Sequence, residues 1–517
     1  MKHVLAPRSA VADQAAPTER LAAERPTLDL RAWLEVGVGY LPVLAWFVAG
    51  VSDSPKLAMA AYLVVAGMLV VRPQLGYLAL VPMLPFYHAQ GFAPHGPMFI
   101  LSAIALGSAI VWCLVGRIEI RLTTRPALWC SLGFLALTAV QLVLGVREFG
   151  GLIPLAAVSE FEELFIILSV FAVGLVVLPG RPSFPYYAFF LASLAVVAGI
   201  AILHFIDPRL LKVFGLAWMV PPGASDYRAS GVMASPNALG LALACGLSWT
   251  IVMATWQIVR GRIERVTWLA STIPLAGLAL FLTFSRAAFI ALGAGLILAV
   301  ARWSLRAAAV AAAAGLVAAF LLYPLFVGSR LGQTFGDVST PTNRARAESA
   351  LADSDRLRSV MAGAAVHAFI DSPIAGHGFA TFGEISPRYS GQSVLTSAHD
   401  LYLKVAAEQG LIGLGSLCAL LLTIVIAIWR APMGPRVASL AVFGTFVVFS
   451  FTGDSLGNAQ TVASAFFLVA AGIAQPGVSV DPTDMAHRAV TDRASEPLSR
   501  RAASRSGRFR TLVDRLG

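Results

Sequence analysis

The chain has 517 residues, of which 57% are hydrophobic and only 13% charged, with a formal net charge of +10. Soluble chains carry about 25% charged residues, so this composition excludes a water-soluble enzyme, a disordered protein and a fibrous one. It leaves a polytopic membrane protein, read as all-α from its long apolar runs, whose basic residues sit in short clusters between those runs, the pattern of cytoplasmic loops rather than of a nucleic-acid-binding surface.

Residues 1–32 are rich in Ala, Pro, Arg and Glu and lack the apolar core of a cleaved signal peptide, so they read as a cytoplasmic tail. Apolar runs follow near 33–51, 57–71, 75–90, 97–116, 126–146, 162–178, 184–206, 236–259, 266–284, 287–302, 306–328, 406–429, 437–452 and 460–474. A spanning helix needs about 17–25 residues, which gives about 12–14 spans. The short pairs 57–71 with 75–90, and 437–452 with 460–474, read as spans or as half-helix hairpins. Each connection on one side carries Arg: Arg72, then Arg117 to Arg125, Arg181, Arg260 to Arg265, Arg302 with Arg306, and Arg430 with Arg436. That side is cytoplasmic by the positive-inside rule, as are both termini. Cys113, Cys130, Cys245 and Cys418 lie inside apolar runs with no C-x-x-C spacing, which points to neither a disulfide nor a zinc site.

Two outer segments depart from bare spans. One, 207–235, is rich in Pro, Gly and Trp; the other, 329–404, is long enough to carry function. Within it Leu357, Val360, Met361, Ala364, Ala365, Ala368 and Phe369 recur at helical spacing, which predicts an amphipathic surface helix capped by Asp353 or Ser354 and ended by Pro373. After the last span, 475–517 is Ser- and Arg-rich and reads as a disordered basic cytoplasmic tail.

Ionisable residues are scarce at mid-membrane depth. His204 lies near the outer end of its span, and Glu160, Glu162 and Glu163 precede the sixth. This weakens a coupled transporter, which places such groups near the midplane. Three outer residues stand out. Arg286 sits in the tight turn Phe284-Ser285-Arg286-Ala287, where it either snorkels to lipid phosphate or binds an anion. Arg228 precedes Ser235-Pro236-Asn237, a helix start whose backbone N–H groups suit an anion. His399, in Ser397-Ala398-His399-Asp400, is expected in the first turn of a continuous helix running to Trp429, about 45 Å long. The macrodipole there favours a neutral imidazole able to accept a proton, whereas Asp400 opposes it. His367 and His377 read as structural. Asp353-Ser354-Asp355 has the spacing of a metal–nucleotide motif but fits a helix cap better, and Asp53 alone in a turn carries no argument.

Arg358, Asp371-Ser-Pro-Ile-Ala-Gly376-His-Gly378-Phe379, Ser397-Ala-His399-Asp400-Leu-Tyr402-Leu403 and Glu408-Gln-Gly410-Leu-Ile-Gly413-Leu414 together resemble the O-antigen ligase/polymerase family. Arg228 to Gly231 with Pro236-Asn237, and Ser285-Arg286, resemble its upstream elements in the same order. Asp400 stands where that family usually has Asn.

The resemblance implies a C-type glycosyltransferase-like fold, with a transmembrane domain over 33–474 that includes the periplasmic loop 329–404. It implies a metal-independent, cofactor-free, inverting transferase in the bacterial inner membrane. Its donor is a glycan on undecaprenyl diphosphate, its acceptor a glycan or lipid hydroxyl at the periplasmic face. His399 is then the catalytic base, and Arg228 and Arg286 hold the diphosphate. Membrane lipids and other polysaccharide assembly proteins are the expected partners, nucleic acid is not. A polymerase joining lipid-linked repeats is the close alternative to a ligase, and a lipid-linked oligosaccharide transporter is the alternative of another class.

Overall fold

The computed structural model describes residues 30–52, 54–86, 96–179, 183–213, 228–233, 235–259, 263–302, 304–315, 341–391, 397–453 and 458–474. Asp53, the first 29 residues of the expected N-terminal tail, the C-terminal tail from 475 and the start of the long loop, 329–340, lie outside the described residues. Of the two units into which the chain divides, Met1–Gln475 and Pro476–Gly517, the second lies wholly outside the described residues.

All regular elements among the described residues are helices: α1 Leu30–Val51, α2 Pro55–Val71, α3 Pro73–Leu80, α4 Gly96–Leu114, α5 Arg125–Leu144, α6 Leu155–Val177, α7 Ser183–Ile206, α8 Pro208–Val213, α9 Pro236–Val259, α10 Ile263–Leu282 and α11 Arg286–Ala301. They continue with α12 Leu305–Gly315, α13 Pro341–Asp371, α14 Phe382–Ser390, α15 Leu401–Arg430, α16 Met433–Phe449 and α17 Ala459–Ile473. Polar caps and Pro at the first position set several starts. The Ser235 hydroxyl accepts from the Ala238 N–H at 3.1 Å beneath Pro236, and Asn458 Oδ1 accepts from the Thr461 N–H at 3.2 Å.

Five of these helices are long and apolar enough to cross a membrane: Pro97–Leu114, Arg125–Arg147, Tyr187–Ile206, Pro236–Val259 and Leu401–Arg430. Shorter apolar helices, among them Pro55–Val71, Arg286–Ala301, Met433–Phe449 and Ala459–Ile473, complete the bundle. Its centre is α6, α9, α16 and α17, and every residue of α17 is buried. Around them, α1, α2, α4 and α5 turn Leu41, Leu63, Ile100 and Val143 outward, all more than half exposed. Large apolar side chains facing out from such helices fit a hydrocarbon solvent. The chain is a multi-pass helical membrane protein.

The two ends of the bundle differ in charge. At one end Arg302 lies over the Trp429 ring at 5.4 Å, Arg436 Nε donates to the Ala431 carbonyl at 2.7 Å, and an Arg121 guanidinium N–H donates to Ala474 at 3.2 Å. Arg117, over Trp112 at 5.2 Å, joins them there. At the opposite end stand Arg286, Arg228 and His399, with a set of carboxylates: Glu160, Glu163, Asp400 and Glu408.

Three expectations need correction. The loop helix is longer than its apolar stripe: α13 begins at Pro341, so positions 353 and 354 fall inside it and not at its start. Ala, Arg and Glu are strong helix formers and carry the helix upstream without apolar periodicity. Its end before Pro373 and the burial of Met361, Ala364, Ala365 and Ala368 are as the spacing indicates. The glutamates 160, 162 and 163 fall within α6, which starts at Leu155, rather than ahead of it. Finally, the helix after His399 is not continuous. Gly410 adopts φ 63, ψ −160 and divides α15 into two helices.

That break has a complete hydrogen-bond account. In an unbroken helix the Leu411 and Ile412 N–H groups would bond the carbonyls of Ala407 and Glu408. Instead those carbonyls accept from His377 (3.3 Å) and Gly378 (2.6 Å), while Leu411 and Ile412 donate to Pro373 (2.8 Å) and Ile374 (3.2 Å). The segment 373–378 is thus wedged into the break, with every opened group re-paired. The approach is so close that a Cβ on Gly376 would collide with the Glu408–Gln409 peptide, and one on Gly410 with the Ile374 carbonyl. Both glycines have positive φ, which disfavours any other residue.

Candidate functional site

Arg228 is fixed by the turn that carries Arg286. Its Nε donates to the Thr283 carbonyl at 2.8 Å and a terminal nitrogen donates to Asn237 Oδ1 at 3.1 Å, while the Ala229 N–H donates to the Leu282 carbonyl at 2.9 Å. Asn237, in the first turn of α9, enters the sequence reading as part of a helix start and of the family resemblance, not as a partner of Arg228. Arg286 is the first residue of α11, half-buried, with Ser285 as the preceding N-cap residue. Gly240 lets α9 come against this turn, since a Cβ there would meet the Ala288 Cβ at 2.9 Å.

His399 is half-buried and stands one residue ahead of the N-cap of α15, not in its first turn. The cap is Asp400, whose Oδ1 accepts from the Leu403 N–H at 2.9 Å. Asn caps as well as Asp, which explains how either residue serves at this position. Burial raises the Asp400 carboxyl above its ordinary range, against the lowering effect of the Leu403 and Tyr402 N–H groups. The opening of α15 is tied to the end of α16, where Leu401 N–H donates to Ser450 at 2.9 Å and the Tyr402 hydroxyl to Val447 at 3.2 Å.

Only three non-glycine residues among the described ones have positive φ: Phe284, Ala380 and His399. One is the candidate base itself, and another lies two residues before Arg286. Backbone held in this costly region concentrates at functional sites.

Residue spacing singles out Glu160, Glu163 and Glu408 but neither Lys404 nor the pairing of these groups beneath His399. Lys404, buried, donates from Nζ to Glu160 Oε2 at 2.7 Å. One turn on, the buried Glu408 carboxylate accepts from the Ala380 N–H (3.0 Å) and the Phe382 N–H (3.1 Å). The Glu163 carboxylate accepts from the Ala459 N–H at 3.0 Å and so caps α17. The signal was present: two charges four residues apart, Lys404 and Glu408, at the mouth of an apolar run, which is the spacing that puts side chains on one helix face.

The structure brings Arg228 and Arg286 to one turn and places His399 at the same end of the bundle. Among the described residues no three His, Cys, Asp or Glu side chains are grouped so as to hold a metal ion. His377, read as structural, bonds its Nε2 to the Ala368 carbonyl at 3.2 Å.

The described residues thus form a helical membrane bundle with a cationic turn, a positive-φ histidine and a helical loop at one end. Residues 270–418, from within α10 to past the break in α15, match the model of a family described as O-Antigen ligase. Over that stretch, which is less than a third of the chain and holds Arg286, α13 and His399, the chain is similar to this family of polysaccharide biosynthesis. No curated protein matches the chain.

Proposed function

We propose that the chain is an inverting, metal-independent glycosyltransferase of the bacterial inner membrane. It transfers a glycan en bloc from undecaprenyl diphosphate to an acceptor hydroxyl at the periplasmic face, in the manner of an O-antigen ligase. The observation that carries this reading is the shared turn of Arg228 and Arg286, set at the same end of the bundle as His399 and away from the arginine-rich end. By the positive-inside rule the arginine-rich end is cytoplasmic. Helix α17 ends there beside Arg121. Helix α1 starts there too, because it pairs antiparallel with α2 through the Trp46–Tyr62 bond. Both termini are then cytoplasmic, and the candidate site and the loop 329–404 are periplasmic, in a C-type glycosyltransferase-like arrangement.

In the reaction the acceptor oxygen attacks the anomeric carbon as the bond from that carbon to phosphate oxygen breaks. The acceptor proton passes to the His399 imidazole, and the bonding electrons leave on the prenyl diphosphate. Attack opposite the leaving group inverts the anomeric configuration. Arg228 and Arg286 stabilise the added negative charge on the diphosphate, a task suited to planar, permanently ionised forks.

The test uses the full chain in vesicles, supplied with a polyprenyl-diphosphate-linked glycan and an acceptor saccharide-lipid, with product linkage read by NMR. Transfer with inversion, lost in His399→Ala and insensitive to chelators, is the expected result. Undiminished transfer by His399→Ala overturns the mechanism. Extension of the donor-linked glycan without use of the acceptor would identify a polymerase instead.

A further inference from the structure

Helix α13 buries one apolar face and leaves a shorter apolar stripe exposed beside His367 and Asp371. Met361, Ala364, Ala365 and Ala368 are buried, the alanines in a small core with Phe382, Ile385, Ala398 and Ala407. Val366 and Ile370, four residues apart and so on one stripe, are 40% and 64% exposed, and Ile374, just past the helix end, is 65% exposed. Upstream the same helix shows polar residues, with Arg356 and Ser359 exposed.

The hydrogen bonds from Leu411 to Pro373 and from Ile412 to Ile374 fix the level of this tip on the spanning helix. Leu411 and Ile412 are themselves 55% and 47% exposed and open the long apolar half of α15. The loop tip and the lipid-facing side of a membrane helix therefore form one continuous apolar surface. Irregular backbone is tolerated at membrane depth only where its polar groups are paired within the protein, and the four bonds of the wedge meet that condition. Polar groups border the tip: Asp371, between Ile370 and Ile374 in the chain, accepts from the Tyr389 hydroxyl at 2.7 Å, and Arg388 pairs with Glu148 at 2.7 Å. Such a rim belongs at a headgroup level.

We infer that Val366, Ile370 and Ile374 form a membrane-immersed tip, seated among the acyl chains of the leaflet on the His399 side, next to Leu411 and Ile412. The occupant of this surface is lipid. Continuity with the exposed face of α15 selects it over a second protein, whose docking here would require a partner to displace lipid from a spanning helix as well. The loop thus reaches down into the bilayer instead of standing clear of it, which fixes the height of the α13–α14 unit above the candidate site. The inference requires only that the chain spans a membrane, not that it transfers glycans.

The test is collision accessibility of a nitroxide on single cysteines at 370, 374 and, as the aqueous control, 359. The full chain, with its four native cysteines replaced by Ala, is placed in phosphatidylethanolamine/phosphatidylglycerol nanodiscs. The expected result is a several-fold higher oxygen-to-nickel-chelate accessibility ratio at 370 and 374 than at 359. Equal ratios overturn the inference, as does spin–spin broadening between copies, which would mean that a second chain covers the tip. An unmodified chain in vesicles containing a carbene-generating lipid supplies an independent reading. Label within 370–375 is expected, and its absence there, with α15 labelled, also overturns the inference.

Discussion

The Arg228 guanidinium donates to the carbonyl oxygen of Thr283 at 2.8 Å, joining two segments 55 residues apart in the chain. One arginine thereby buttresses the turn that presents the other. Arg286→Lys keeps the charge but not the fork, and transfer should fall about 10- to 100-fold, the equivalent of one charge-assisted hydrogen bond of about 1.5–3 kcal/mol. Arg228→Ala should lower both rate and Tm, because it also removes the bonds to Thr283 and Asn237. Initial rates and thermal unfolding of the purified variants separate the two effects.

His399→Gln should reduce the transfer rate by about 10²–10⁴-fold, the usual contribution of a positioned general base, with donor affinity unchanged. A matched loss of donor binding, measured by titration with a non-transferable lipid diphosphate, would mean that the imidazole holds substrate and does not take a proton.

Glu408 bridges α15 to the loop through two backbone N–H groups. Glu408→Ala leaves the buried Phe382 N–H and the part-buried Ala380 N–H without this acceptor, at up to about 1–3 kcal/mol for a buried donor, and should cost several degrees in Tm. Glu408→Gln retains one side-chain acceptor oxygen and should lose less. If the alanine variant melts with wild type, the carboxylate is not a latch.

Gly376→Ala and Gly410→Ala each force a Cβ into the facing backbone at a positive φ. Holding a residue with a Cβ in such sparsely populated backbone costs about 1–3 kcal/mol, and the collision adds to it. Both variants should open the wedge, read as faster proteolysis between 371 and 400. Gly363→Ala, where a Cβ meets nothing within 4 Å, is the control and should be silent.

Asp400 gives a pH signature. Its carboxyl is raised by burial, so the folded chain holds this proton more tightly than the unfolded one. Stability from this group falls as pH climbs from the ordinary aspartate value of 3.8 through the raised one, and the deficit is full above it. Asp400→Asn keeps the cap and removes the deficit. At neutral pH its Tm should exceed wild type by about 1–2 °C, a small gain because the group is half-exposed, and the difference should close below pH 3.8.

Sequence pattern made several of these features legible because their causes are local. Ser235-Pro236 announces a helix start, Ser285-Arg286 a turn between apolar runs, and residues 361–368 a buried stripe, and each is set by neighbours a few positions away. The early start of α13 was hidden because its polar first half has no apolar periodicity to read. The break at Gly410 was hidden for a different reason. Its cause is the backbone of 373–378, more than 30 residues upstream, and a glycine in an apolar run looks the same whether it packs a helix or divides one. Likewise the bonds from Arg228 to Thr283 and from Lys404 to Glu160 depend on tertiary placement, which residue spacing does not encode.

Helix α17 is 15 residues long and enclosed on all sides by protein. At about 1.5 Å per residue it reaches only about 22 Å, well short of a typical hydrocarbon thickness of about 30 Å. Because it never meets acyl chains, it is spared hydrophobic mismatch. A thicker or thinner host bilayer then strains the peripheral helices, while the Asn458 and Glu163 caps keep the inner floor at constant depth.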